Sequence, residues 1–468
     1  MNQNDDYDFI IIGGGPTGSS SAIYLRRKGY SVLVLEREKF PRQHVGESLL
    51  PFCYPLFEEL GVLDEMKRRF VRKPGARFTN HDGTSSATWC FRNVIFDDSY
   101  LSFHVVRADF DKMLLDKAQS EGADVLEETN VTAVNLDRPD GIVEVKASGE
   151  KQFTARFLID ASGQDTFLAR RLGDKTAYKD LDRIAFLTHW KGAKYSQGID
   201  VGLLQICYLE EQKSGWFGIQ PVGKDRISVG LIIDRKYLKQ EKAKLTKAGI
   251  AEWQKALYMQ EIQACALTRD ILEHAEQAQP LIIVSDFSYY AEKTYGKNFA
   301  MLGDSGKFLD PIFASGVYLG MNSSKIFAEA LDVLFKEGEE AGMKVMAEKK
   351  TQIDGAYNLV EKFIQIFYDP KSFNLSSLSS TSESGYGGYE TAFAMFHYLL
   401  AGDFFNSYER YSDFLDMLQN PKQFARWKNL VIDRPNVHEK TCAANWELIF
   451  GDIDDAYIRA TSINGDQA

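Results

Sequence analysis

The first forty residues constrain this chain more than any other part of it. Asp8-Phe9-Ile10-Ile11-Ile12 is a short apolar run that stops at glycines, the pattern of a buried parallel strand. Gly13-Gly14-Gly15-Pro16-Thr17-Gly18 follows, giving GxGxxG at Gly13, Gly15 and Gly18. Ser19 to Gly29 reads as a helix, Ser31 to Leu35 as a second strand, and Glu36 closes the unit 18 residues after Gly18. Gly13 permits the tight turn, Gly15 lets the backbone approach a pyrophosphate, and Gly18 lets helix and strand pack closely. The helix N-terminus offers unpaired N–H groups and the positive end of its dipole to the phosphates. Glu36 is spaced to accept from adenosine ribose hydroxyls. A glycine-rich turn alone says little, but the ordered strand, glycines, helix, strand and acid predict a dinucleotide-binding unit.

The chain of 468 residues has room for two or three domains, or for one large α/β domain with insertions. Its net charge of −11 argues against a general nucleic-acid binder, which needs a basic excess to neutralise phosphate. The five cysteines are scattered, with no CxxC pair and no Cys/His cluster, so neither a metal site nor a disulfide framework is expected. An acidic N-terminus runs straight into the first strand without signal-peptide features, and no apolar run reaches bilayer-spanning length. A cytoplasmic protein without a membrane span is expected.

Two later segments bear on which dinucleotide is bound. Phe157-Leu158-Ile159-Asp160-Ala161-Ser162-Gly163 is a strand entering a small-residue turn, and Phe299-Ala300-Met301-Leu302-Gly303-Asp304 is a strand ending in Gly-Asp. With the N-terminal fingerprint they resemble flavoproteins of the FAD-dependent aromatic-hydroxylase type. That resemblance implies FAD, with Asp304 on the ribityl chain, the turn containing Asp160 and Gly163 against the cofactor, and Arg107 contacting the flavin.

Three further segments narrow the class: Glu38 to Pro51, containing Arg42 and Gly46-Glu47-Ser48; Phe70 to Phe78, containing Phe-x-x-Lys-x-Gly; and Gly303 to Val317, containing Asp310-Pro311 and Ser315-Gly316-Val317. Together they resemble the flavin-dependent halogenases, in particular the branch acting on phenols or pyrroles, often tethered to an acyl or peptidyl carrier protein. The resemblance covers about the first 330 residues. It implies an FADH2- and O2-dependent reaction in secondary metabolism. A flavin hydroperoxide oxidises chloride or bromide to hypohalous acid, and Lys73 relays that acid to a small aromatic substrate. It also implies reduced FAD supplied by a separate flavin reductase. Arg42, Glu47 and Ser48 are then expected at the flavin pocket, and Ser315, Gly316 and Pro311 at the halide site. Trp216 and Pro221 keep two positions of the family's Trp-x-Trp-x-Ile-Pro strand. Gly218 and Gln220 depart from it, and Gly218 opens space beside the flavin, which keeps a hydroxylase or double-bond reductase as the alternative.

The expected fold is α/β: a Rossmann-like FAD-binding domain (1–180 and 281–338), an antiparallel substrate-domain sheet with a helix (181–280), and a helical C-terminal region (339–468). Strands are predicted at Ile184–Lys191, Leu203–Leu209, Gly215–Pro221 and Arg226–Ile233, and helices at Leu238–Glu276, Ala341–Tyr368, Tyr389–Ala401 and Tyr408–Leu418. Ser376 to Gly388 has the composition of a flexible linker or lid. Nineteen of the 95 residues from Phe363 to Tyr457 are aromatic, enough to line a pocket or simply to pack helices. Lys67, Arg68, Arg69, Arg72, Lys73 and Arg77 form a basic run that either docks an acidic carrier or flanks an internal channel.

Overall fold

The computed structural model describes residues 6–194, 201–210, 213–285, 287–369, 375, 392–420, 422, 442 and 444–454. In it Phe9–Ile12 lies parallel between Val32–Leu35 and Phe157–Asp160, and Leu158–Asp160 in turn pairs in parallel with Phe299–Met301. The strand Asp124–Leu126 extends one edge, and the hairpin Val131–Asn135 with Val143–Ala147 extends the other. Apart from Asp160 at the end of its strand, the central strands are apolar because both faces are covered. One covering layer pairs the helix Pro16–Arg27 with the helix Gly316–Glu337. Small residues let these two approach: Ser21 and Ser324 hydroxyls are 2.9 Å apart, and a Cβ on Gly320 would sit 2.2 Å from Thr17 Oγ1.

The second sheet roofs this domain. Its order is Glu276–Gln277, Arg183–Lys191, Arg226–Asp234, Trp216–Gly223, Leu204–Tyr208, Gly75–Thr79 and Ser86–Cys90, with Ile282–Ser285 also paired to Arg183–Lys191. All four strands expected between 184 and 233 are present within two residues of their predicted ends. Period-two alternation divides its residues cleanly. Ala185, Leu187, Ile206, Trp216, Gly218, Gln220, Ser228, Gly230 and Ile232 face a cleft, while Phe186, Cys207, Phe217, Ile219, Val229 and Leu231 face helices. The hairpin Gly75–Cys90 and the strand Ile282–Ser285 join this roof although they fall inside the chain segments expected to build the FAD-binding domain. Backbone pairing recruits strands across chain order.

Two expectations need correction. The Lys-rich stretch 238–276 is three helices, Arg235–Lys247, Trp253–Ala264 and Ala266–Ile271, because Gly249 ends the first in a left-handed turn with φ +80°. The cysteines do include a disulfide: Cys90 and Cys442 are bonded across 352 residues of sequence, with Cα atoms 5.3 Å apart. Spacing rules see only local pairs, so a bond of such separation is invisible to them. Around it Ala444, Ile449 and Phe450 pack on Val71 and Leu203, placing the C-terminal segment against the strand that carries Lys73.

The helix Glu339–Tyr368 runs back along Gly316–Glu337, and Ala392–Ala401 and Tyr408–Gln419 pack beyond it. The serine- and glycine-rich loop Ser376–Gly388 lies outside the described residues, as does the predicted helix start at Tyr389. Phe363, Phe396, Phe404, Tyr411 and Phe414 are buried in the core, so ordinary packing accounts for these aromatics of the region. Among the described residues no helix is long and apolar enough to cross a membrane.

Candidate active site

Between the parallel sheet and the roof lies a cleft of about 300 Å³ that runs from Glu36, past Gly13, Gly15 and Thr17, to Asp304 and Ser315-Gly316. Its floor is the glycine loop. A Cβ on Gly13 would meet Ala161 O at 2.5 Å and one on Gly18 would meet Gly13 O at 1.9 Å, so both positions are closed to any side chain. Gly15 faces the cleft, with Arg42 Nη2 as the nearest atom to a built Cβ at 3.5 Å. Gly18 therefore works behind the wall, and Gly13 and Gly15 form it. Glu36 lines the cleft, and its two oxygens accept from Gly14 N (2.7 Å) and Glu38 N (2.9 Å). Each oxygen keeps a second lone pair for a ribose hydroxyl.

The next wall is built on one buried carboxylate. Asp111 accepts from Arg107 Nε (2.7 Å) and Nη2 (3.0 Å) and from Arg42 Nη1 (3.0 Å). Burial by itself would raise the Asp111 carboxyl, but Arg107 and Arg42 outweigh it and hold it below the ordinary range. Arg107 also donates to Val45 O, fixing the turn at Gly46, where φ is +87°. Glu47 in the same segment accepts from His189 Nε2 at 2.8 Å, joining the loop to the roof. Asp111 and His189 escape sequence reading. Arg-x-x-x-Asp at helical spacing marks the first in retrospect, whereas nothing local marks the second.

At the far end the Asp304 carboxyl lines the cleft, and burial pushes it up to about 7, opposed only by the charge of Arg107. It is placed to accept from a polyol chain. Gly303, at φ +64°, packs its backbone against Thr17 outside the wall. Asp160 also stands outside, both oxygens taken by Ser162 N (2.9 Å) and Leu168 N (2.7 Å). It shapes the turn that brings Gly163 to the cleft. Ser315 and Gly316 line the cleft at the start of a 22-residue helix, where Ser315 makes no side-chain cap. Asp310 caps Ile312 N at 3.0 Å and accepts from Tyr368 OH, which itself accepts from Trp216 Nε1 at 2.8 Å. Thus Pro311 and Trp216 border the cleft, and Pro221 does not. A Cβ on Gly218 would meet the Trp216 ring at 3.0 Å, so the Trp216 side chain lies over the space that a second tryptophan would need.

An elongated groove with a phosphate-ready helix start, a ribose acceptor and a polyol acceptor in line matches the shape and chemistry of FAD. Residues 6–352 match the family described as FAD binding domain. Over 344 residues the chain is 30% identical to the 1H-pyrrole-2-carbonyl-(peptidyl-carrier protein) chlorinase of Pseudomonas fluorescens, an alignment covering 69% of this chain and 74% of that one. The chain belongs to the flavin-dependent halogenases. A pyrrole-carrier brominase of Pseudoalteromonas luteoviolacea is 31% identical over 336 residues, covering 71% of the halogenase and 78% of that protein. Among solved structures, the flavin-dependent brominase Bmp2 superposes with TM-score 0.72 at 25% identity, over 90% of this halogenase and all of that chain. A flavoprotein/dehydrogenase from Cytophaga hutchinsonii gives TM-score 0.75, also at 25% identity and the same coverage.

Lys73 of the halogenase does not line the cleft. It ends the short strand Val71–Lys73, is 1% exposed, and donates to Leu49 O at 2.9 Å with its Nζ 5.5 Å from the Phe91 ring centroid. Leu49 follows Ser48, which does line the cleft, so Lys73 stands directly behind that wall. Burial lowers its amine to about 7, opposed weakly by Cys53. The basic run therefore splits. Arg72 and Lys73 turn inward, Arg77 bonds Thr88 Oγ1 at 2.8 Å, and Arg68 stays exposed at the end of the helix Leu63–Arg69.

Proposed function

We propose that this halogenase chlorinates or brominates an electron-rich phenol or pyrrole, presented on an acidic carrier protein, by passing hypohalous acid from the flavin cleft to Lys73. The observation that carries this reading is the position and chemistry of Lys73. A buried amine with a lowered proton affinity, without a carboxylate partner among the described residues, sits one residue behind the cleft wall. As an ammonium it donates to the oxygen of hypohalous acid and polarises the halogen; as a neutral amine it is a nucleophile. FAD held in the cleft, reduced by a separate reductase, supplies the oxygen activation.

The chain's own residues do the rest. Glu36 and the Gly13–Gly15 loop seat the nucleotide end, and Asp304 holds the polyol chain. The backbone N–H groups at Ser315 and Gly316 favour an anion, because they open a helix and lie in a cleft. The names of the two pyrrole-carrier relatives favour a tethered substrate here, and the exposed Arg68 beside Arg69 gives an acidic carrier a place to dock. Reversing both charges is expected to weaken turnover of the tethered substrate and to spare the free one; equal loss on both excludes docking there.

The deciding experiment gives the pure protein reduced FAD, oxygen and bromide with free and carrier-tethered phenols and pyrroles. A bromine isotope doublet in the product mass spectrum is expected. Incorporation of one oxygen without halide would instead support hydroxylation, the second reading. That reading rests on Gly218, which faces the cleft where the family strand carries a second tryptophan, and it requires the Trp216 ring to move aside.

A further inference from the structure

Lys73 is not alone behind the wall. Its strand pairs antiparallel with Ser102–His104, so that Lys73 lies opposite Ser102 and Val71 opposite His104. Alternation along both strands then puts Lys73, Ser102 and His104 on one face, with His104 diagonal to Lys73 and within a long side chain's reach. Ser48 pairs with His104 from the other side. The hydrogen bonds there run from Leu49 N to Phe103 O and from Val105 N to Glu47 O, which makes Ser48 and His104 a close, non-hydrogen-bonded pair with adjoining side chains. One ladder face therefore carries Ser48 from the cleft wall, then His104 and Ser102, then Lys73.

These groups share a further property. His104, Ser102 and Ser48 are buried, and among the described residues His104 Nδ1, Ser102 Oγ and Ser48 Oγ have no hydrogen-bond partner. Such atoms are rare in folded interiors, because each forfeits its hydration without replacement. The imidazole tautomer follows from its other nitrogen. His104 Nε2 is 2.9 Å from Gly202 O, and a carbonyl only accepts, so Nε2 carries the hydrogen. Gly202 is built to present that carbonyl: φ is +88°, and a Cβ would meet Arg72 O at 2.7 Å. Burial first, then the charge of Lys73, hold the ring well below its ordinary protonation range. Nδ1 is left as a bare lone pair on the ladder face that carries Lys73.

We infer that His104 is a second catalytic residue of the halogenation step, its Nδ1 accepting the O–H of a hypohalous acid whose oxygen accepts from Lys73. This assignment rests on the halogenase reading above. The donor and the acceptor together fix the oxygen end of the molecule and leave the halogen pointing away, toward the aromatic substrate. A π pair of the ring forms the carbon–halogen bond as the halogen–oxygen bond breaks, and that bond's pair stays on oxygen. The departing hydroxide takes a proton from Lys73 and leaves as water. The ring proton then returns to the Lys73 amine. Arene and hypohalous acid give haloarene and water, with Lys73 and His104 restored.

The test compares wild type with His104→Phe, which removes the acceptor, and His104→Gln, which keeps one. Reduced FAD, oxygen and bromide are supplied with a phenol, and a 1,3-diketone in the bulk traps oxidant that escapes. With His104→Phe, product per flavin oxidised is expected to fall about tenfold, the loss expected for one hydrogen bond. Trapped oxidant should rise to match, the flavin should reoxidise at an unchanged rate, and His104→Gln should restore much of the coupling. Unchanged coupling in His104→Phe overturns the assignment. A second readout needs no flavin: nitrogen NMR of the flavin-free protein, with His104 identified by its loss in His104→Gln. A neutral ring protonated at Nε2, whose Nδ1 signal shifts when hydrogen peroxide is added as a halogen-free analogue, is the expected result. Protonation at Nδ1, or no shift, overturns the assignment. If the wild type incorporates no halide, the halogenase reading falls, while the NMR result separately decides whether His104 presents an acceptor.

Discussion

At the scale of single residues, the chemistry depends on burying groups that prefer water. Lys73 has its proton affinity lowered to about 7 from an ordinary 10.5 because its ammonium is cut off from solvent. Between those values the unfolded chain holds a proton that the folded one lacks, so this group makes stability rise with pH across that window; its full cost is present below 7. Lys73→Met is therefore expected to resist urea better than wild type at pH 6, with the difference shrinking toward pH 10. The same variant should lose product by about a hundredfold or more, as for a residue required in the transition state, while flavin oxidation continues. Product formation at a wild-type rate would remove Lys73 from the mechanism. Gly218 carries the complementary prediction. Gly218→Trp would restore the family strand but place its Cβ 3.0 Å from the Trp216 ring, so Trp216 must move. If substrates reach the flavin past Gly218, any oxygen insertion by wild type should vanish in this variant, as measured by product mass.

At the scale of elements, the flavin-side wall is held by one hub. Asp111 ties the helix Arg107–Ser120 to Arg42 in the preceding loop, and Arg107 ties that helix to the turn at Val45. Asp111→Asn leaves the buried Arg107 and the half-buried Arg42 without their carboxylate, a change that costs about 3–5 kcal/mol in comparable buried pairs. Urea unfolding at pH 7 is the measurement. The sign with pH follows from the lowered carboxyl. The wild-type advantage is fully present above the unfolded value near 3.8 and is lost as pH falls through the lower folded value. A variant as stable as wild type at pH 7 would show that Arg42 and Arg107 find other partners. Asp304→Ala acts on the cofactor end, and it should weaken FAD retention about ten- to a hundredfold, as for removal of a charged acceptor. Equilibrium dialysis reads that loss directly.

At the scale of the whole molecule, the C-terminal segment is fastened to the roof beside Lys73 by the Cys90–Cys442 bond. Replacing Cys442 with Ser is expected to cost about 2–5 kcal/mol of stability, as for removal of other native disulfides. Wild type should show the same loss under a thiol reductant, followed by thermal unfolding with and without it. Identical melting in all four cases would mean the bond contributes nothing.

Sequence alone determined the parts of this protein whose physics is local. The glycine spacing after Ile12 reads correctly as a strand-to-helix turn because Gly13 and Gly18 leave no room there for a side chain. The roof strands read correctly because alternation maps directly onto two differently packed faces. The burial of Lys73 was not legible, since a lysine in a basic run looks like a surface cation until its neighbours are known. Tertiary structure alone decided what depends on distant partners. It set the disulfide across 352 residues and the recruitment of Gly75–Cys90 into the roof. It brought His189 to Glu47 and converged His104, Ser102 and Ser48 beside Lys73. Each of these is a pairing energy between residues far apart in the chain, and composition, spacing and periodicity carry no record of it.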